Sequence, residues 1–465
     1  MKKKYVIIGS GLSVAVLAEQ LGSHGYEVIV LNPDQSLGGI FRGISVENKM
    51  YDVGMTNFEF QLFYDPSDDL QDYRAGVKSD IGKFVHFVKE YVEKFVDLHK
   101  VSTPKMRFRD RIVGDFILSN ELDVLEIFEG SDKKQVIKEL EAILSKEMPL
   151  HASGKENQAS EVYSAMFEEV SRANNGNFIH ENIIAPMLMK VLGIQSNELP
   201  AIFHRNGWVP LYYPETLYSQ FSSKPQALKP TIFEYPDGAH FGTFVDRLCK
   251  QIKTLKSVQI INGVEVTSID QAKKTIDLGS KTVSYDFLAL EQCIDILAPE
   301  YEFDQLVAKQ RKASLALFFA DIQGAGIEKP FSVITDPSAD SPFYRITNQT
   351  ISADAKLKTH QLIFECNSEK IPESAEDTRR IFDNALPLFG IDKNAVKTIA
   401  CRQFKNVLVV PEKEIMKTYN DRHSELVASL KDIALIGRSS GYTAATFNDH
   451  ILQALQVAER FQNSK

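Results

Sequence analysis

Residues 4–32 read KYVIIGSGLSVAVLAEQLGSHGYEVIVLN, and the fold turns on this stretch. The apolar run at 4–8 suits a buried strand, 12–24 repeats apolar side chains at helical spacing, and 26–32 returns to a strand pattern, so the stretch is one β-α-β unit. In a dinucleotide-binding unit of this kind the first glycine permits the tight turn and the second lets the backbone approach a pyrophosphate. The third lets helix and strand pack closely. Gly9 and Gly11 supply the first two, Val14 stands at the third, and Asn32 stands where a ribose-binding acid belongs. Val14 is expected to set the helix slightly away from the strand, and the Asn32 amide oxygen can still accept one hydrogen bond.

The 465 residues, 43% hydrophobic and 10% aromatic, can bury a large core divided among two or three units. A formal charge of -9, with basic residues scattered, excludes the electrostatic footprint of a nucleic-acid binder. Cys249, Cys293, Cys366 and Cys401 lie far apart and form no CxxC, which points to neither a disulfide framework nor a zinc site. A reducing cytoplasm is the expected location. The basic start MKKK precedes a strand rather than a signal peptide, since the apolar run stops at Gly9 with no cleavage site after it. No run approaches the ~18 apolar residues of a membrane span.

Residues 80–146 read as helical, with Phe84, Val85, Phe87, Val88, Tyr91, Val92, Phe95 and Val96 on nearly one side. Such a stripe can rest on a membrane, but a core-facing helix is the expectation. Helical character continues from 160 to about 200, followed by the aromatic stretch NGWVPLYYPETLYSQF with Trp208, Tyr212 and Tyr213. Residues 231–298 mix turns, a helix and paired strands. Residues 311–410 are mostly β, and the tail KDIALIGRSSGYTAATFNDHILQALQVAERF is a strand, a glycine turn and a long helix.

More glycines follow the opening unit: Gly38-Gly39 in NPDQSLGGIFRG and Gly54 in YDVGMTNFEF. Together with YPDGAHFGTFVDRL, INGVEVTSID and the tail, this layout resembles the flavoprotein superfamily of monoamine oxidases, protoporphyrinogen oxidases and UDP-galactopyranose mutases. The tail is similar to the mutase branch at Gly437, Arg438, Tyr442, Ile451, Ala454 and Leu455, while Phe447 and Asn448 replace that branch's Met and Asp. The resemblance implies an α/β fold: a glutathione-reductase-like Rossmann FAD-binding domain from 1–75, 231–298 and 426–465, interleaved with a helical cap (76–230) and a β-rich substrate domain (299–425). It implies FAD held non-covalently by Gly9, Gly11, Leu12, Ser13, Asn32, Gly38, Gly39, Arg42, Gly54, Met55, Val266, Gly437, Arg438, Asn448 and Asp449, and the departures at Val14 and Asn32 are expected to weaken that binding. The closing helix, starting near Asn448 with Thr446 or Asn448 as cap, would turn its positive end toward the flavin.

A flavin carries its own chemistry, so no catalytic triad is needed. The chain offers no Ser-His-Asp set, HExxH or P-loop, and His180-Glu181 lacks a second zinc-site histidine. Candidate substrate residues are Arg345, whose planar fork suits an anionic group, Tyr344 beside it, and Trp208, Tyr212 and Tyr213. Strand alternation predicts Phe343 and Arg345 on one face, toward the flavin cavity, with Tyr344 on the other. Three functions stay open. They are an FAD-dependent oxidoreductase of the amine-oxidase type acting on a small amine, amino acid or sugar derivative; a mutase-like nucleotide-sugar isomerase using reduced FAD; and a divergent, weakly flavin-binding partner protein. GMTNFEF in place of the mutase's histidine-bearing segment disfavours the second. A small-molecule substrate and a possible homodimer complete the expectation, with no metal.

Overall fold

The opening β-α-β unit becomes the centre of a five-stranded parallel sheet. Its strands run in the order Val258–Asn262, Glu27–Asn32, Lys4–Ile8, Phe287–Leu290, Ile433–Leu435. The computed structural model describes residues 3–59, 81–119, 121–145, 165–201, 203, 209–212, 214–223, 232–238, 240–354, 358–442 and 447–463, with side chains in the helix Ile81–Val92 described from 87 onward.

The central strands are apolar on both faces because both faces are covered, the usual condition of a parallel sheet. Tyr5, Ile7, Val28, Val30, Phe287 and Ala289 face the helices Leu12–Ser23 and Phe447–Asn463, which pack on each other. Val6, Ile8, Leu31, Leu288 and Leu290 face a small antiparallel sheet of Ser268–Asp270, Thr275–Asp277 and Thr282–Ser284, through Ile276 and Val283. Val266 belongs to this second layer.

A seven-stranded mixed sheet forms the other large layer, in the order Val396–Val409, Lys312–Gln323, Thr359–Asn367, Phe343–Asn348, Val333–Thr335, Lys105–Phe108, Arg111–Gly114. The last two strands correct the reading of 80–146 as wholly helical. KMRF alternates charged with apolar residues, RIVG is a short apolar run after one arginine, and Arg109 takes a left-handed conformation (φ 56°) at the turn between them. Two strands of four residues each are too short to show a period in a helix-rich neighbourhood. In the described part of the apolar stripe Val88, Tyr91, Val92 and Val96 are buried and Phe87 is exposed, while the side chains of Phe84 and Val85 lie outside those described. No helix among the described residues is long and apolar enough to cross a membrane.

Candidate functional site

Glycines converge on the crevice at the C-terminal ends of the parallel strands, where open α/β sheets bind ligands. Gly9 follows the first strand with φ 142°, and Val14 packs against it closely enough that a Cβ on Gly9 would lie 2.9 Å from Val14 Cγ2. The missing side chain of Gly9 makes room for Val14. Gly38 (φ 102°) donates from its N–H to Ser10 O at 2.7 Å, which lays the second glycine loop on the first; a Cβ there would meet Val245 Cγ1 at 2.2 Å. Gly437 begins the turn after the edge strand Ile433–Leu435 and closes the third side.

The middle of this cradle is filled by Glu291, a residue that sequence reasoning passed over. It directly follows the strand Phe287–Leu290, whose Leu290 pairs with Ile8, and its own N–H donates to Ile8 O at 2.9 Å. Its carboxylate accepts from Ser10 N (3.1 Å), Gly11 N (2.6 Å) and Ser13 Oγ (2.8 Å). Cβ atoms placed on Gly9, Gly11 and Gly437 would come within 2.7, 2.0 and 2.7 Å of the Glu291 side chain. These are the donors an N-terminal helix turn offers to an anion, and the helix Leu12–Ser23 adds its dipole. The cradle is occupied by a carboxylate from the chain itself.

Beside it lies an aromatic wall. Phe41 packs edge-on to Phe447 (5.9 Å) and His450 (5.8 Å), and Phe447 packs edge-on to Phe58 (4.9 Å). Asn448 Nδ2 donates to Glu59 O at 2.9 Å, tying the closing helix to the strand after Gly54. Among the described residues, several buried polar atoms here lack a hydrogen-bond partner: both side-chain atoms of Asn57, Asn448 Oδ1 and His450 Nδ1. Unsatisfied groups of this kind cost stability unless a ligand or water meets them. Burial holds the His450 imidazole below its usual pKa, with Arg438 acting in the same direction and Glu291 and Asp449 opposing it. Below the loop, buried Asp52 accepts from Phe241 N (2.9 Å) and from the Tyr235 hydroxyl; burial raises its pKa despite these bonds.

The other residues singled out in the sequence fall as follows. Asn32 is spent within the chain: Oδ1 accepts from Asp34 N (3.0 Å) and Nδ2 donates to Asn262 Oδ1 (2.8 Å). Leu12 and Ser13 are buried, Met55 is half-buried, Asp449 is partly exposed and Arg438 exposed, and Arg42 pairs with Asp246 at 3.0 Å. The closing helix starts at Phe447, so Asn448 is inside it rather than its cap, and Thr446, Trp208 and Tyr213 lie outside the described residues. Tyr212 is buried, and its hydroxyl donates to Phe116 O at 2.5 Å.

Arg345 lies inside the protein. It is buried, and Nε and Nη2 donate to Glu365 Oε1 (2.6 Å) and Oε2 (2.7 Å), so its fork is spent on a carboxylate of the neighbouring strand. A register shift between Phe343 and Arg345 breaks the alternation expected there. Phe343 packs into one core with Phe318 and Phe364, while Tyr344 joins the opposite core. Glu365 in turn lies under Gly54, 2.9 Å from where a Cβ would be. A strand bulge is invisible in a pattern of single residues.

Residues 7–73 match the sequence family described as NAD(P)-binding Rossmann-like domain. No curated protein sequence matches the chain. Among solved structures, reduced UDP-galactopyranose mutase is similar over 100% of this chain and 95% of its own, with a TM-score of 0.72 at 15% identity. A putative protoporphyrinogen oxidase from Exiguobacterium sp. 255-15 is similar over 100% of both chains (TM-score 0.68, 13% identity). Putrescine oxidase bound to putrescine is similar over 100% of this chain and 99% of its own (TM-score 0.60, 9% identity). The chain shares the fold of UDP-galactopyranose mutase, the putative protoporphyrinogen oxidase and putrescine oxidase.

Proposed function

We propose that this protein is an FAD-dependent oxidoreductase of the amine-oxidase type, acting on a small amine, amino acid or sugar derivative. The observation that carries the reading is the glycine cradle at the strand crevice, whose backbone donors hold a carboxylate as they would hold a phosphate. The residues present fit a dinucleotide on two counts: the cradle receives an anion, and unpartnered polar atoms of Asn57, Asn448 and His450 stand next to it. Gly9, Gly11, Ser13 and the Gly38-Gly39 loop would hold the pyrophosphate, with the Phe41 and Phe447 wall and Asn448 toward the ring. FAD, when bound, supplies hydride acceptance. The chain's own part is to bind and orient, and to exclude water with the aromatic wall. Arg345 is engaged by Glu365, so its fork is not counted among the proposed substrate contacts.

The mutase-like reading is supported by the fit of Gly437, Arg438, Tyr442, Ile451, Ala454 and Leu455 to that branch's tail. Protein prepared with excess FAD and desalted is expected to keep flavin absorbance, and anaerobic addition of candidate amines to bleach it. Turnover of a nucleotide sugar only after dithionite reduction would move the reading to the mutase. No flavin absorbance and no quenching on titration would sink both.

A further inference from the structure

We propose that Glu291 is a tethered anion that competes with the dinucleotide pyrophosphate for the glycine cradle, so that it sets the cofactor affinity and must swing out before FAD enters. The inference rests on the reading of the cradle as an FAD site.

The geometry allows only one occupant. The Glu291 side chain already lies within contact distance of the space over Gly9, Gly11 and Gly437, the three positions where missing side chains leave room for a ligand. Its carboxylate also takes the donors a phosphate would need: Ser10 N, Gly11 N and Ser13 Oγ. A second anion in the same place would meet both a steric clash and like-charge repulsion. Glu291 is nonetheless removable. Its backbone is pinned by the hydrogen bond to Ile8 O, but the carboxylate sits on a flexible stem whose torsions can carry it away. An independent observation marks the neighbourhood as built for a larger polar guest, since Asn57 is 5% exposed and His450 9% exposed, yet both leave side-chain atoms with no partner among the described residues. With Glu291 seated, the phosphate end of the site is satisfied while the adjoining part is not. That imbalance is what a self-occupied cofactor site looks like. The loss of an acid at Asn32 is consistent with a site that holds its dinucleotide loosely.

The test compares full-length wild type with E291A and E291Q, using FAD fluorescence quenching and thermal unfolding in inorganic pyrophosphate. E291A is expected to bind FAD at least tenfold more tightly than wild type. It is also expected to unfold at lower temperature without ligand, because the cradle N–H groups lose their partner, and to recover with pyrophosphate while wild type does not respond. E291Q, which keeps the shape and loses the charge, should shift FAD affinity in the same direction and serves if E291A does not fold. Equal FAD affinity in all three proteins overturns the role of Glu291 and leaves the flavoprotein reading standing. Pyrophosphate stabilising only the variants, with FAD bound by none, upholds Glu291 as the cradle's occupant and removes the flavoprotein reading. No response to either ligand overturns the proposal.

Discussion

Arg345 carries its charge into the interior because Glu365 meets it there, 2.6 Å away and equally buried. Removing one partner of such a pair strands the other, so Arg345→Ala should lower stability by ~3–5 kcal/mol. A paired Arg345→Met and Glu365→Leu exchange should recover most of that loss, as read by denaturant unfolding. A single variant as stable as wild type would show that the pair is not buried as described. At the same scale, His450 reports on Glu291. Burial holds its imidazole pKa down against the opposing pull of Glu291 and Asp449. Neutralising Glu291 removes part of that opposition, so in E291Q the imidazole should titrate at still lower pH by NMR; an unchanged value would separate the two residues.

Between the helices Phe167–Ile179 and Ala185–Leu192 lies a wide turn at His180–Ile184, and its first residue is buried. His180 Nδ1 is 2.9 Å from Ser171 Oγ and Nε2 is 3.1 Å from Ser196 Oγ, partners that serve a neutral ring. Burial pushes its pKa down to about 4. Because the folded value lies below the unfolded one, near 6.5, its contribution is complete above pH 6.5 and is lost as pH falls through 4. That acid-side loss should reach up to about 3 kcal/mol. Melting temperature followed from pH 7 to 4 should fall less steeply in His180→Gln than in wild type; parallel curves would remove the assignment. The two serines flank a histidine that sequence alone could only exclude as a zinc ligand.

The whole molecule is held at its core by residues from opposite ends of the chain. Tyr5 stacks on Phe287 at 5.0 Å, and Phe461 of the closing helix packs on both, 5.8 and 5.0 Å away. Phe461→Ala should therefore cost ~3–5 kcal/mol and loosen the first sheet as a unit, measured by urea unfolding and by hydrogen exchange in Lys4–Ile8. Exchange unchanged in that strand would show that the tail is only an appendage. The β-α-β unit at 4–32, the two glycine loops, the buried helix stripe and the β-rich character of 311–410 were legible because periodicity and turn chemistry are local. The site was legible only as a set of glycines. Spacing carries no strand order, so nothing in LALEQC reveals that Glu291 lies beside Gly9; the bonds from Ser10 and Gly11 span 281 and 280 residues. The bulge that turns Arg345 toward Glu365 and the Asn262 partner of Asn32 were hidden for the same reason. By itself the sequence determined which segments form strands and helices and where the backbone lies bare, since those follow from each residue and its near neighbours. Only the tertiary structure decided what occupies the bare places, because that depends on which distant strand ends arrive there.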